Sequence, residues 1–153
     1  MKKNNLLVAF VNMGECMRAD RLDDYSSNIY LLNHHVVGVA ECSQDLTDHL
    51  EITNEYSVYS DGTKNLAIVL LKVYVQDCVK LDQGSMGTDR AWSRFAIFKV
   101  KWKGIVGGME ETVFAVFHLH YSHAKAGDKT GLEKVGERSP VYNRFWMKFA
   151  EAI

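Results

Sequence analysis

Proline is nearly absent from this chain: Pro140 is the only one in 153 residues. The sequence therefore holds no proline-rich linker, and no low-complexity tract or internal repeat interrupts it. Cysteine is also scarce. Cys16, Cys42 and Cys78 are odd in number and lack C-x-x-C spacing. That rules out a disulfide framework or a zinc ribbon and fits the reduced thiols of an intracellular protein, in cytosol or nucleus. No apolar run approaches the length of a membrane span. The opening "MKKNNLLVAFVNMGECM" sets basic residues before an apolar stretch. The stretch is too short for a secretory signal, and Asn12 and Glu15 interrupt it, so it reads as a first strand. Neither sign of charge is in excess, with Lys plus Arg at 18 and Asp plus Glu at 19. That balance argues against a simple electrostatic binder of nucleic acid. It leaves room for an enzyme that grips one phosphate locally.

What the chain does have is a folded composition, 47% apolar and 24% charged, enough for one domain with a real core. "NLLVAFVNMG" predicts a buried strand over Leu6–Val11, stopped at Asn12 and Gly14. "DRLDDYSSNIYLLNHH" predicts a helix, because Leu22, Tyr25, Ile29 and Leu32 follow helical spacing. "HVVGVAE" is a short apolar strand ending on Glu41, and "SQDLTDHLEI" has room for a helical turn. "EYSVYSDGTKNLAIVLLKVYV" predicts two strands around an Asp-Gly turn. "RFAIFKVKW" alternates as a strand, "GIVGGMEE" is a turn region, and "TVFAVFHLHY" is a further strand. In "SPVYNRFWMKFAEAI", Ser139 and Pro140 open an amphipathic helix, with Val141, Phe145, Phe149 and Ile153 repeating every fourth residue. The element order predicts a mixed α/β fold with an antiparallel component.

Two groups of residues invite chemistry. Asn12 and Glu41 each end an apolar strand. If those strands are parallel neighbours, the amide and the carboxylate point into one cleft. Oxygen donors of that kind suit a hard cation such as Mg²⁺. Singly, each is more often a turn asparagine or a solvated glutamate. The second group is "FHLHYSHAKAG". His118 and His120 are two apart and share a strand face, with His123 just beyond. H-x-H chelates transition metals. The six-residue pattern resembles the metallo-β-lactamase signature, but Ser122 stands where that signature has aspartate. Histidines at a strand end with no special role are the plain alternative.

In order along the chain, these pieces resemble the endonuclease/exonuclease/phosphatase superfamily, the DNase I-like fold. "LVAFVNMG" is similar to its first motif, a strand ending in asparagine. "HHVVGVAECSQDL" is similar to its second, an apolar strand running into a metal-binding glutamate, with Ala40 where glutamine is frequent. "FAVFHLHYSHAKAG" resembles the strand that ends in a His-Leu pair, and "RSPVYNRFWMKFAEAI" the helix that comes next. The resemblance implies a sandwich of mixed sheets flanked by helices and metal-assisted hydrolysis of a phosphate ester, with nucleic acid among the candidate substrates. Asn12 and Glu41 would hold Mg²⁺ or Mn²⁺. His118 would hydrogen-bond the phosphate or act as general acid, with His120 as second choice and Arg144 more structural than catalytic.

The departures are large. The family's Gly-Asp-x-Asn and Ser-Asp-His motifs, which supply the water-activating base, do not occur here. Residues 1–153 are therefore expected to be the N-terminal part of one such domain, truncated, with little activity alone. Two other readings compete. One is a zinc hydrolase built on His118, His120 and His123. The other is a non-catalytic interaction module.

Overall fold

The computed structural model describes residues 5–13, 23–24, 27–29, 33–42, 47–50, 55–60, 66–85, 94–118, 146–147, 149–151 and 153. Seven strands form two sheets. β1 (Val8–Asn12), β2 (Val36–Ala40), β3 (Tyr56–Ser60) and β4 (Leu66–Leu71) make a four-stranded sheet in the order β1-β2-β4-β3. β1 and β2 run parallel, and the remaining pairs are antiparallel. β5 (Val75–Ser85), β6 (Arg94–Val106) and β7 (Met109–His118) make a three-stranded antiparallel sheet. A 3-10 turn, Lys72–Tyr74, carries the chain from β4 into β5.

Alternation along the strands decides what each face buries. Val36 and Ala40 on β2, with Leu66, Ile68 and Leu70 on β4, pack against Ala96, Phe98, Val100 and Trp102 on β6 and Val116 on β7. This is the layer between the sheets. Trp102 is its largest side chain, and its indole N–H donates to Thr112 Oγ1 at 3.0 Å, so this buried donor is met. The odd positions of the same strands, Val37, Val39, Ala67 and Val69, face the other way and cluster with the helical residues Ile29 and Leu50. A strand buried on both faces must be apolar throughout, which is why "VVGVA" and "LAIVLL" carry no charge. Each fully buried Val, Leu, Ile or Phe contributes roughly 1.5–3 kcal/mol against the cost of ordering the chain.

Several boundaries differ from the sequence expectation, each for a physical reason. The first strand spans Val8–Asn12, while Leu6 stays outside it and packs against the layer between the sheets. β6 runs on past Trp102 to Val106, so the expected turn region narrows to Gly107 and Gly108. Both have positive φ, 60° and 81°, the backbone that a two-residue hairpin needs. β5 lies beyond the two strands expected around the Asp-Gly turn. Its register shifts at Val75/Asp77 and again at Lys80/Asp82, and this breaks the alternation that marks a strand. Residues 23–24, 27–29, 47–50, 146–147 and 149–151 are helical where helix or a helical turn is expected.

Candidate active site

β1 and β2 are parallel neighbours, with Asn12 directly opposite Ala40. One residue past that pair, the chain leaves β2 at Glu41. The Met13 N–H donates to the Ala40 carbonyl at 3.0 Å and ties the two strand ends together. Glu41 has φ +54°, left-handed backbone that costs a non-glycine residue about 1–2 kcal/mol. The turn keeps its carboxylate between the sheets instead of letting the next strand position carry it away.

Three side chains meet there. Asn12 Nδ2 donates to Glu41 Oε1 at 3.2 Å. His118, the last residue of β7, lies 2.8 Å from the same oxygen through Nε2. The His118 and Glu41 side chains are only 12% and 16% exposed, so the contact sits in a part-desolvated recess. In such a place a charge-assisted hydrogen bond counts for more than at an open surface. Strand parity explains the arrival of His118. It shares the inner face of β7 with Val116, and Val116 packs in the core against β2 and β4. Asn12 and Glu41 therefore meet where their parallel strands end side by side, and His118 reaches the same carboxylate from the second sheet. His120, His123 and Arg144 lie outside the described residues.

Arg94 was not singled out in the sequence. It stands directly opposite His118 across the β6–β7 ladder, which puts both on the same face of the sheet. The signal was available in principle. Arg94 opens a strand whose even positions Ala96, Phe98 and Val100 are core, so its own side chain belongs to the inner face. The register thus puts an arginine and the histidine that contacts Glu41 on one face of the same strand pair.

As donors, the Glu41 carboxylate and the Asn12 amide oxygen suit a hard divalent cation that keeps several waters. No group of three or more His, Cys, Asp and Glu side chains able to hold a metal ion occurs among the described residues. Among the described residues, Glu41 and Asn12 are the ones that would hold such a cation.

No family model matches the chain, and no curated protein matches it in sequence. Solved structures do match. TDP2 of D. rerio, complexed with a single-strand DNA product, superposes with a TM-score of 0.58 at 19% identity, over 85% of this chain and 52% of that one. The chain has a DNase I-like fold. Truncated TDP2 of Caenorhabditis elegans gives 0.58 at 15% identity, over 76% of this chain and 47% of that one. A further C. elegans TDP2 structure gives 0.59 at 16%, over 76% and 36%. At these identities the likeness establishes the DNase I-like fold. The chain spans about half the length of the first solved structures it matches, 48%, 47% and 52%. No helix among the described residues is long and apolar enough to cross a membrane.

Proposed function

We propose that this chain carries one side of the catalytic cleft of a metal-dependent phosphodiesterase of nuclease type, with nucleic acid as its substrate. The observation that carries the reading is the convergence of Asn12 and His118 on one oxygen of Glu41. The strands that deliver these side chains belong to both sheets of a DNase I-like fold. The single-strand DNA product held by the D. rerio TDP2 neighbour supports nucleic acid as the substrate class.

In this reading Glu41 and Asn12 hold Mg²⁺ or Mn²⁺. The bound cation supplies Lewis-acid stabilisation of charge on the phosphoryl oxygen. Asn12 fixes the Glu41 carboxylate by donating to it, which removes a rotamer that would otherwise cost entropy on binding. His118 Nε2, which lies 2.8 Å from Glu41 Oε1, would turn its N–H from that carboxylate to a phosphate oxygen or pass the proton to the leaving oxygen once substrate is bound. Arg94 faces the phosphate from the neighbouring strand and adds a fixed positive charge. Residues 1–153 form the N-terminal part of one domain of this kind. They turn over little substrate alone, because the sequence holds neither Gly-Asp-x-Asn nor Ser-Asp-His. In this reading the protein is intracellular, a placement that rests on its three cysteines, odd in number and without C-x-x-C spacing.

The test uses the chain as it stands. Mn²⁺ is titrated into isotope-labelled protein and paramagnetic broadening is mapped. Signals of Asn12 and Glu41 should broaden first, and Glu41→Ala should remove the effect. Broadening that spares both residues would overturn the metal assignment. Brisk hydrolysis of a single-stranded oligonucleotide that survives Glu41→Ala would overturn the whole reading.

A further inference from the structure

His35 sits just before β2, 9% exposed, outside the cleft and unused by the proposed chemistry. Its ring is 4.6 Å from the Tyr74 ring and 6.4 Å, edge-on, from Trp102. Its backbone is held too, because the Leu71 N–H donates to the His35 carbonyl at 3.2 Å. The informative contact is a side-chain one. The Leu7 N–H donates to His35 Nδ1 at 3.0 Å. A nitrogen that accepts a hydrogen bond carries no proton, so the imidazole is neutral, with its hydrogen on Nε2.

The position of that bond matters. The Leu7 carbonyl accepts from the Val36 N–H at 3.3 Å, and at the far end Met13 donates to Ala40. The N–H groups of Leu7 and Met13 therefore both face β2, and two-residue alternation places those of Ala9 and Val11 there as well. The imidazole of His35 takes the place of a carbonyl at the first rung of the β1–β2 ladder. β2 is the one strand that pairs with β1 among the described residues. Among the described residues, the Leu7 N–H and C=O tie the leading end of β1 to His35 and Val36, and one of these bonds runs to an imidazole, the side chain whose ordinary pKa lies nearest neutrality.

We propose that His35 is an acid-released latch on β1: its Nδ1 lone pair holds the Leu7 N–H, and protonation of the ring frees the leading end of β1 from β2. A proton taken from solvent occupies the lone pair, so the acceptor becomes a donor facing another donor. The released strand is the one that carries Asn12 at its other end. The inference does not depend on the phosphodiesterase reading.

The surroundings fit a latch that is closed at neutral pH. Burial disfavours the charged ring and lowers its pKa, and neighbouring His34 lowers it further. The other ionisable groups on the segments around the ring are Lys72 and Tyr74 of the 3-10 turn and Glu55, whose carbonyl accepts from the Lys72 N–H at 2.9 Å. Lys101 and Lys103 flank Trp102 on β6 and alternate to the opposite face. Residues 5–7 bring no charge. A histidine whose folded pKa is depressed stabilises the closed form above the ordinary value of 6.5, and that contribution is lost as pH falls below it.

Amide hydrogen exchange on the whole chain tests the latch, with rates corrected for intrinsic pH dependence. Between pH 7.5 and 5.5, protection of Leu7, Ala9 and Val11 should fall by up to about tenfold, while Ile68 in β4 holds. His35→Asn sets an amide oxygen near the place of Nδ1 and cannot be protonated, so its β1 protection should stay flat. Flat protection in the parent chain, or an equal fall in His35→Asn, overturns the proposal. Nitrogen chemical shifts of the His35 ring give a readout that needs no variant. Nδ1 should be unprotonated at pH 7.5 and gain its proton in step with the loss of Leu7 protection, and a ring already protonated there at pH 7.5 overturns the latch.

Discussion

His118 Nε2 lies 2.8 Å from Glu41 Oε1, joining the last residue of one sheet's final strand to the first residue after β2 in the other. The contact ties the two layers at the rim of the sandwich, where the apolar core has ended. It also fixes the imidazole relative to the carboxylate, the preorganisation that the proposed phosphate site requires before its ligand arrives.

Glu41 combines two opposing contributions, and substitution separates them. Removing the carboxylate takes the acceptor from both Asn12 and His118. Its left-handed backbone, φ +54°, strains any residue with a Cβ. Both Glu41→Ala and Glu41→Gly lose the hydrogen bonds, but only glycine relieves the strain. Chemical denaturation should find Glu41→Gly more stable than Glu41→Ala by about 1 kcal/mol. Equal stabilities would mean that the left-handed turn is not held in solution.

Gly38 is the small residue in an otherwise bulky strand. A Cβ built there meets Phe10 Cδ2 at 3.1 Å and Val116 Cγ2 at 3.4 Å. Phe10 must give by a few tenths of an ångström to admit the methyl, whereas buried Val116 stands at ordinary contact distance. Gly38→Ala should therefore cost on the order of 1 kcal/mol. In a Phe10→Ala background the same change should cost less, because the tighter of the two contacts is gone. A double-mutant cycle measures the difference, and strict additivity would show that Phe10 does not lie across β2.

Much of this layout was legible in the sequence, and the places where it was not have two separate causes. β2 and β4 were readable because burial on both faces demands unbroken apolar runs. The pairing of Asn12 with Glu41 was readable because each ends such a run. β5 was not, since its two register shifts destroy period-two alternation. The left-handed turn at Glu41 and the opposition of Arg94 to His118 were hidden for a different reason. Neither backbone sign at a non-glycine residue nor cross-strand register leaves a local pattern. His35 belongs with them. A lone histidine before an apolar strand looks the same whether its ring binds a backbone N–H or water.

The hairpin between β6 and β7 gives a paired comparison. Gly107 and Gly108 both have positive φ, so alanine at either strains the turn by about 1 kcal/mol. Space separates them. A Cβ on Gly107 would come within 2.9 Å of Leu6 Cβ and 3.3 Å of the Leu6 backbone nitrogen, whereas a Cβ on Gly108 meets nothing within 4 Å. Gly107→Ala should be the more damaging variant, because Leu6 must shift and its contact with the core goes with it. Thermal melts of the two variants check the order. A larger loss at Gly108 would show that Leu6 does not cross the hairpin.

Cys78 supplies a pH test that is separate from the histidines. Burial, reinforced by the carboxylate of Asp77 beside it, pushes the thiol up to about 12 from 9.0. The folded chain therefore keeps this proton where the unfolded chain loses it. A group whose pKa is raised on folding contributes stability that is whole below its unfolded value and disappears as pH rises through the folded one. The loss from this thiol should thus fall between about pH 9 and 12. Since only the thiolate reacts, Cys78 should resist alkylation at pH 8 until denaturant opens the sheet. A Cys78→Ser chain should show a shallower fall in stability across the same alkaline window. Rapid labelling of folded Cys78 at pH 8 would mean that β5 opens locally, without the rest of the sandwich.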